Sequence, residues 1–230
     1  RAEELLWHAE AAGDAKRAWV AANQAAQAAS HAGDHPRAVS AYERGLKQSE
    51  RAGVEEPARR DLVAGLATSL GSSGRRSDAL ELLARAGQGF APWATGLRLR
   101  ARLRKDQGLT DAALSDLGAA REAAERSAAL GEEEGASEEI AILSEEASVR
   151  LWRGDYAAAR EAGEKALRSL RERWPGVLRG EGQGATPQAE LLRRRLEQAA
   201  AAACDVLHHA CHFQGLDEEA TAYLQEALGI

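Results

Sequence analysis

Five stretches of the chain repeat one arrangement: AGDHPRAVSAYERGL from Ala32, SGRRSDALELLARAG from Ser73, QGLTDAALSDLGAAR from Gln107, RGDYAAAREAGEKAL from Arg153 and QGLDEEATAYLQEAL from Gln214. In each, a glycine opens a turn: Gly33, Gly74, Gly108, Gly154 and Gly215. An alanine follows five residues later, at Ala38, Ala79, Ala113, Ala159 and Ala220. Four residues beyond it stand Tyr42, Leu83, Leu117, Gly163 and Leu224. Residues four apart share one face of an α-helix, so each stretch reads as a glycine turn feeding a helix that packs through a small residue and a larger one. A chain made of such units folds by stacking them, because each unit buries only part of its apolar face alone.

Upstream of each glycine lies a second helical segment: Trp19 to Ser30, Arg59 to Leu70, Ala94 to Lys105, Glu138 to Trp152 and Gln188 to Phe213. Each pair is a helical hairpin. The glycines are 41, 34, 46 and 61 residues apart, loosely around a 34-residue period with insertions. Composition agrees: Ala, Leu, Glu and Arg dominate, prolines number five and aromatics make up 4%, which suits helices and starves a β-sandwich. The expectation is an all-α chain.

The arrangement resembles tetratricopeptide repeats, with small residues in the first helix, a glycine turn, then Ala, an aromatic or Leu, and Ala. The resemblance covers nearly the whole chain, although first-helix Trp and Tyr are mostly replaced by Ala, Leu or Arg and the closing Pro is missing. It implies an α-solenoid of stacked antiparallel hairpins in a right-handed superhelix, about five hairpins plus a leading helix, as one domain over residues 1–230. The leading segment AEELLWHAEAAGDAKRA carries the same turn at Gly13, only 20 residues before Gly33, so residues 1–13 read as the trailing helix of an upstream repeat. This opening resembles the tetratricopeptide regions attached to large bacterial signalling ATPases and serine/threonine kinases. With no methionine in the chain, the expectation is a piece of a longer protein.

Two segments break the pattern. WPGVLRGEGQGATPQ, Trp174 to Gln188, reads as a long loop before a last hairpin over 189–230. GEEEGASEE, Gly131 to Glu139, reads as a second connection, its carboxylates solvated or set at the positive end of the following helix.

CDVLHHACH, residues 204 to 212, concentrates two cysteines and three histidines. The cysteines lie about 10 Å apart along one helix, too far for a disulfide, and are expected as free thiols in a reducing compartment. Aligned on Gly215, Cys204, Leu207, His208 and Cys211 fall where neighbouring helices pack, so the expectation is a core role. The alternative is chelation of an ion by His208 and His212 with one cysteine as a third ligand. Closed zinc sites draw four ligands, usually from two elements, and no Glu lies between the histidines to act as a base, so no metal or other cofactor is expected.

The nucleophile-elbow, phosphate-loop and dinucleotide glycine patterns are all absent, so no catalytic residue is assigned and no enzyme is expected. Net charge of -6 and a pI near 5.6 argue against nonspecific nucleic-acid binding. No apolar run approaches the roughly 20 residues that span a bilayer, and the expected location is cytoplasmic. There remains the groove lined by first helices. Its inward positions are expected at Asn23, Gln27 and Ser30; Ala64 and Thr68; Arg98, Arg102 and Lys105; Ser144 and Ser148; and Asp205, His209 and His212. Arg98, Arg102 and Lys105 point one way at helical spacing and could hold carboxylates or a phosphate, or could be solvated surface. The expected function is a protein-interaction scaffold taking a protein or peptide, acidic by this reading, at Asn23, Gln27, Arg98, Arg102 and Lys105. The alternative is a small-effector sensor controlling an attached catalytic domain.

Overall fold

A computed structural model of the chain describes residues 2–89, 93–129, 133–177 and 186–228. Among them are eleven helices and no strand: α1 (Ala2–Ala11), α2 (Ala15–His31), α3 (His35–Arg51), α4 (Glu56–Ser72), α5 (Arg76–Gly89), α6 (Ala94–Lys105), α7 (Thr110–Ala129), α8 (Glu133–Arg153), α9 (Tyr156–Arg173), α10 (Pro187–Phe213) and α11 (Asp217–Leu228). They form two compact units, Arg1–Leu103 and Arg104–Ile230. In the first, α2 packs on α1 and α3, α3 on α4, and α4 on α5. In the second, α7 packs on α8, α8 on α9 and α10, α9 on α10, and α10 on α11. Within the units, α2/α3, α4/α5, α8/α9 and α10/α11 pair as hairpins, as the repeat predicts.

The glycines set the turns. Gly33, Gly74, Gly108, Gly154 and Gly215 all have φ between 73° and 83°, a left-handed conformation that costs any other residue steric strain. Each closes a Schellman cap: in the first hairpin, Gly33 N–H bonds Ser30 C=O at 3.0 Å and Asp34 N–H bonds Ala29 C=O at 2.9 Å. The Asp that follows three of the left-handed glycines then starts the next helix. The Asp14, Asp34 and Asp155 side chains accept from the backbone N–H of Arg17, Arg37 and Ala158. Gly13 and Gly53 are left-handed too, and the 20-residue spacing of Gly13, Gly33 and Gly53 gives unit 1 its regular beat.

The packing positions hold what the repeat assigns them. All five alanines are buried, as are Tyr42, Leu83, Leu117 and Gly163, whereas Leu224 is 42% exposed. Two of these positions show how one hairpin meets the next. A Cβ on Gly65 of α4 would fall 2.3 Å from Tyr42 Cζ, and one on Gly163 of α9 would fall 2.9 Å from Leu207 Cγ of α10. A large residue on one helix thus fills the space left by a glycine on its neighbour.

The connection expected at Gly131 to Glu139 is corrected: α8 starts at Glu133, and Ser137 and Glu138 are buried within it. Glutamate forms helix well, and a run of it in a first turn is favoured by the helix dipole, so Gly135 does not break the segment. Of the loop expected at Trp174 to Gln188, residues 178–185 lie outside the described residues. Thr186 caps α10 through Ala189 N–H at 3.1 Å, with Pro187 in the first turn.

Candidate functional site

The first-helix positions proposed as a groove divide by burial. On α2, Asn23 is half-buried and Gln27 exposed. Ser30 is turned into the fold: its Oγ lies 3.2 Å from Ser69 Oγ of α4. On α4, Thr68 is exposed, with its hydroxyl donating to Ala64 C=O of its own helix. Ser144 does not face a groove. It is buried, 3.0 Å from both Ile140 C=O and Ala199 C=O, because α8 packs on α10 through this face.

On α6, Arg102 is exposed and Arg98 half-buried, forming a row beside the buried Leu99 and Leu103. Lys105, next in that row, is engaged inside unit 2. Its Nζ donates to Glu145 Oε1 at 3.2 Å and Ser148 Oγ at 2.9 Å, and the two charged side chains are 12% and 5% exposed. Adjacent charges extend this polar layer between α6, α7 and α8. Arg104 donates to Asp116 at 2.7 Å, and Glu146 accepts from both Arg121 and Arg150. Sequence reading missed the layer because buried carboxylates at Asp116, Glu145 and Glu146 look like any solvated helix glutamate or aspartate until a neighbouring helix is placed over them.

The cysteine–histidine cluster lies on α10. Cys204, Leu207 and Cys211 are fully buried, as the packing reading expects. Burial pushes the Cys204 thiol up to about 12, and the Cys211 thiol is raised for the same first reason. A buried thiol held protonated is a poor ligand and a poor nucleophile. His208 Nδ1 donates to Ala220 C=O of α11 at 3.0 Å, His209 Nδ1 to Asp205 C=O at 2.8 Å, and His212 Nδ1 to the Asp217 carboxylate at 3.1 Å. Among the described residues no three His, Cys, Asp or Glu side chains converge on a position for a metal ion. The cysteines are therefore expected to be unreactive towards a disulfide-exchange reagent in native buffer and to react fully once the chain is unfolded in guanidinium. Rapid labelling of the native protein would contradict this packing.

A surface cleft of about 420 Å³ in unit 1 is lined by Ala2, Ala25, Ala29 and Asp34, with Glu3 and Arg37 ion-paired beside it. No helix among the described residues is long and apolar enough to cross a membrane.

No protein-family model matches the chain, and no curated protein does. Among solved structures, BtubC (BKLC) from P. vanneervenii is similar over 98% of this chain and 86% of its own, with a TM-score of 0.67 at 17% identity. The nearly identical TPR-like repeats of a Podosopora anserina kinesin light chain are similar over 90% of this chain and 91% of theirs, with a TM-score of 0.55 at 16% identity. At such identities the likeness is one of fold, and with the turn chemistry and hairpin packing it makes this chain a tetratricopeptide-like α-solenoid of helical hairpins.

Proposed function

We propose that the chain is a non-catalytic protein-interaction module. In this reading it binds an acidic peptide or partner helix along its first helices, through Asn23 and Gln27 on α2 and Arg98 and Arg102 on α6. The observation that carries it is the row on α6. Lys105, the third member, already takes a carboxylate and a hydroxyl within the fold, and that is the chemistry Arg98 and Arg102 would offer a partner, with a guanidinium able to grip a carboxylate in two places. Lys105 acts here from inside, fixing α8 beside the end of α6. The module would serve a larger cytoplasmic bacterial protein as a regulatory part, a reading supported by the opening HAEAAGDAKRA and its resemblance to repeats attached to signalling enzymes.

The test is calorimetric titration with an acetylated, amidated glutamate-rich peptide. Changing both arginines to glutamate, with Lys105 untouched, is expected to weaken binding at least about tenfold, since like charges replace an attractive pair. The gentler Arg98→Gln/Arg102→Gln protein separates lost binding from any loss of fold. Equal affinity for wild type and both variants would rule this site out.

A further inference from the structure

The glycine-turn edge of unit 2 differs in chemistry from the groove. The residue two before each glycine lies at or beside the end of the first helix; at Gly154 and Gly215 these are Trp152 and Phe213, 71% and 57% exposed. At Gly33 and Gly74 the same position holds His31 and Ser72. Just after Gly108 stands Leu109, 51% exposed. The three turns of unit 2 are tied side by side. Arg153 donates to Asp111 at 2.8 Å, joining the turns at Gly108 and Gly154, and Tyr156 stacks on Phe213 with ring centroids 4.9 Å apart, joining those at Gly154 and Gly215. Packed helices lie about 8 to 10 Å apart, and α8 packs on α10, so Trp152 and Phe213, at equal register, stand within reach of one extended peptide. Large apolar side chains left in water along one edge mark an interaction surface.

Charge says what that surface takes. Around the aromatic residues, Asp106, Asp111, Asp155, Asp217 and Glu218 are exposed, against a single exposed arginine, Arg153. Carboxylates beside exposed indole and phenyl faces suit a guanidinium, which lies flat on an aromatic ring while its edge donates to an acid. We propose that this edge docks a cationic, arginine-bearing peptide segment, with arginine side chains over Trp152 and Phe213 and aliphatic residues beside Leu109. An acidic segment bound at α6 and a basic one bound here would be separate ligands.

The test uses the whole chain and a fluorescently labelled peptide of alternating arginine and leucine, followed by anisotropy. A second peptide carries citrulline in place of each arginine, keeping the shape and removing the charge. The arginine peptide is expected to bind and the citrulline peptide to bind at least about tenfold more weakly. Trp152→Ala and Asp111→Asn/Asp217→Asn should each weaken the arginine peptide about fivefold or more, and Arg98→Glu/Arg102→Glu should not weaken it. Trp152 is exposed enough that its loss leaves the fold intact, so the result stands even if Phe213→Ala, which breaks a stack, unfolds. Equal binding of the two peptides, binding indifferent to Trp152, or no binding of the arginine peptide would each overturn the proposal.

Discussion

Replacing Lys105 with methionine is expected to cost unit 2 about 3 kcal/mol, a loss belonging to a buried ion pair and not to a surface lysine. The ammonium lies between Glu145 and Ser148, and both charged side chains are nearly out of water. Removing the lysine leaves the Glu145 carboxylate desolvated without its ammonium partner, and that penalty exceeds what the pair itself contributes. The paired change Lys105→Met/Glu145→Leu should therefore recover most of the loss, since two apolar side chains of similar size need no counter-charge. Urea denaturation followed by circular dichroism measures both. A single variant as stable as wild type would mean that Lys105 is solvated in solution and free to serve a partner directly.

The junction between α3 and α4 should show the same signature from crowding instead of lost charge, with one change harmful alone and tolerated in company. An alanine at Gly65 gains up to about 1 kcal/mol of helix propensity, yet its Cβ would sit 2.3 Å from Tyr42 Cζ and 2.6 Å from Tyr42 Oη. Tyr42 cannot swing aside freely, because it is buried among the α2, α3 and α4 side chains of the core. Overpacking of this kind costs about 1 to 3 kcal/mol. With Tyr42→Leu in place, the residue the chain itself uses at Leu83 and Leu117, the Gly65→Ala step should become neutral or stabilising. The double-mutant cycle over Tyr42 and Gly65 is expected to show coupling of about 2 kcal/mol. Additive effects would mean that α3 and α4 do not meet at these residues.

The hairpins were legible in the sequence because their signals are local. A left-handed glycine and a buried alanine five residues on, joined after Gly33 and Gly154 by a capping aspartate, are local features of the backbone, so Gly33, Gly74, Gly108, Gly154 and Gly215 could be read without any partner. Gly53 carries part of the same signal, an Ala–Gly pair 20 residues after Ala32–Gly33 and just ahead of Pro57, but no aspartate follows it and Glu55 makes no side-chain cap bond, so the turn is less marked in the sequence. Glu133 to Glu139 misled for a different reason: glycine and serine among glutamates resemble a loop, while the dipole at a helix start rewards those same glutamates. The exchange of Lys105 for Glu145 and Ser148 was not legible at all. It joins residues 40 and 43 positions apart, and a lysine in a basic row looks alike whether it faces water or a neighbouring helix. Cys204 and Cys211 were placed correctly by repeat register; the chelating alternative rested on His208 and His212 at a spacing of four, with one cysteine as a third ligand.

The measurement that bears most directly on the interaction reading is affinity capture from a lysate of the source organism, with wild-type protein beside Arg98→Glu/Arg102→Glu and bound proteins identified by mass spectrometry. The account predicts a partner retained by the wild type and lost by the variant, with both proteins melting at the same temperature and the captured protein carrying an acidic segment that competes for binding as a free peptide. A partner held equally by both proteins, or one whose binding segment carries no acidic side chains, would contradict it.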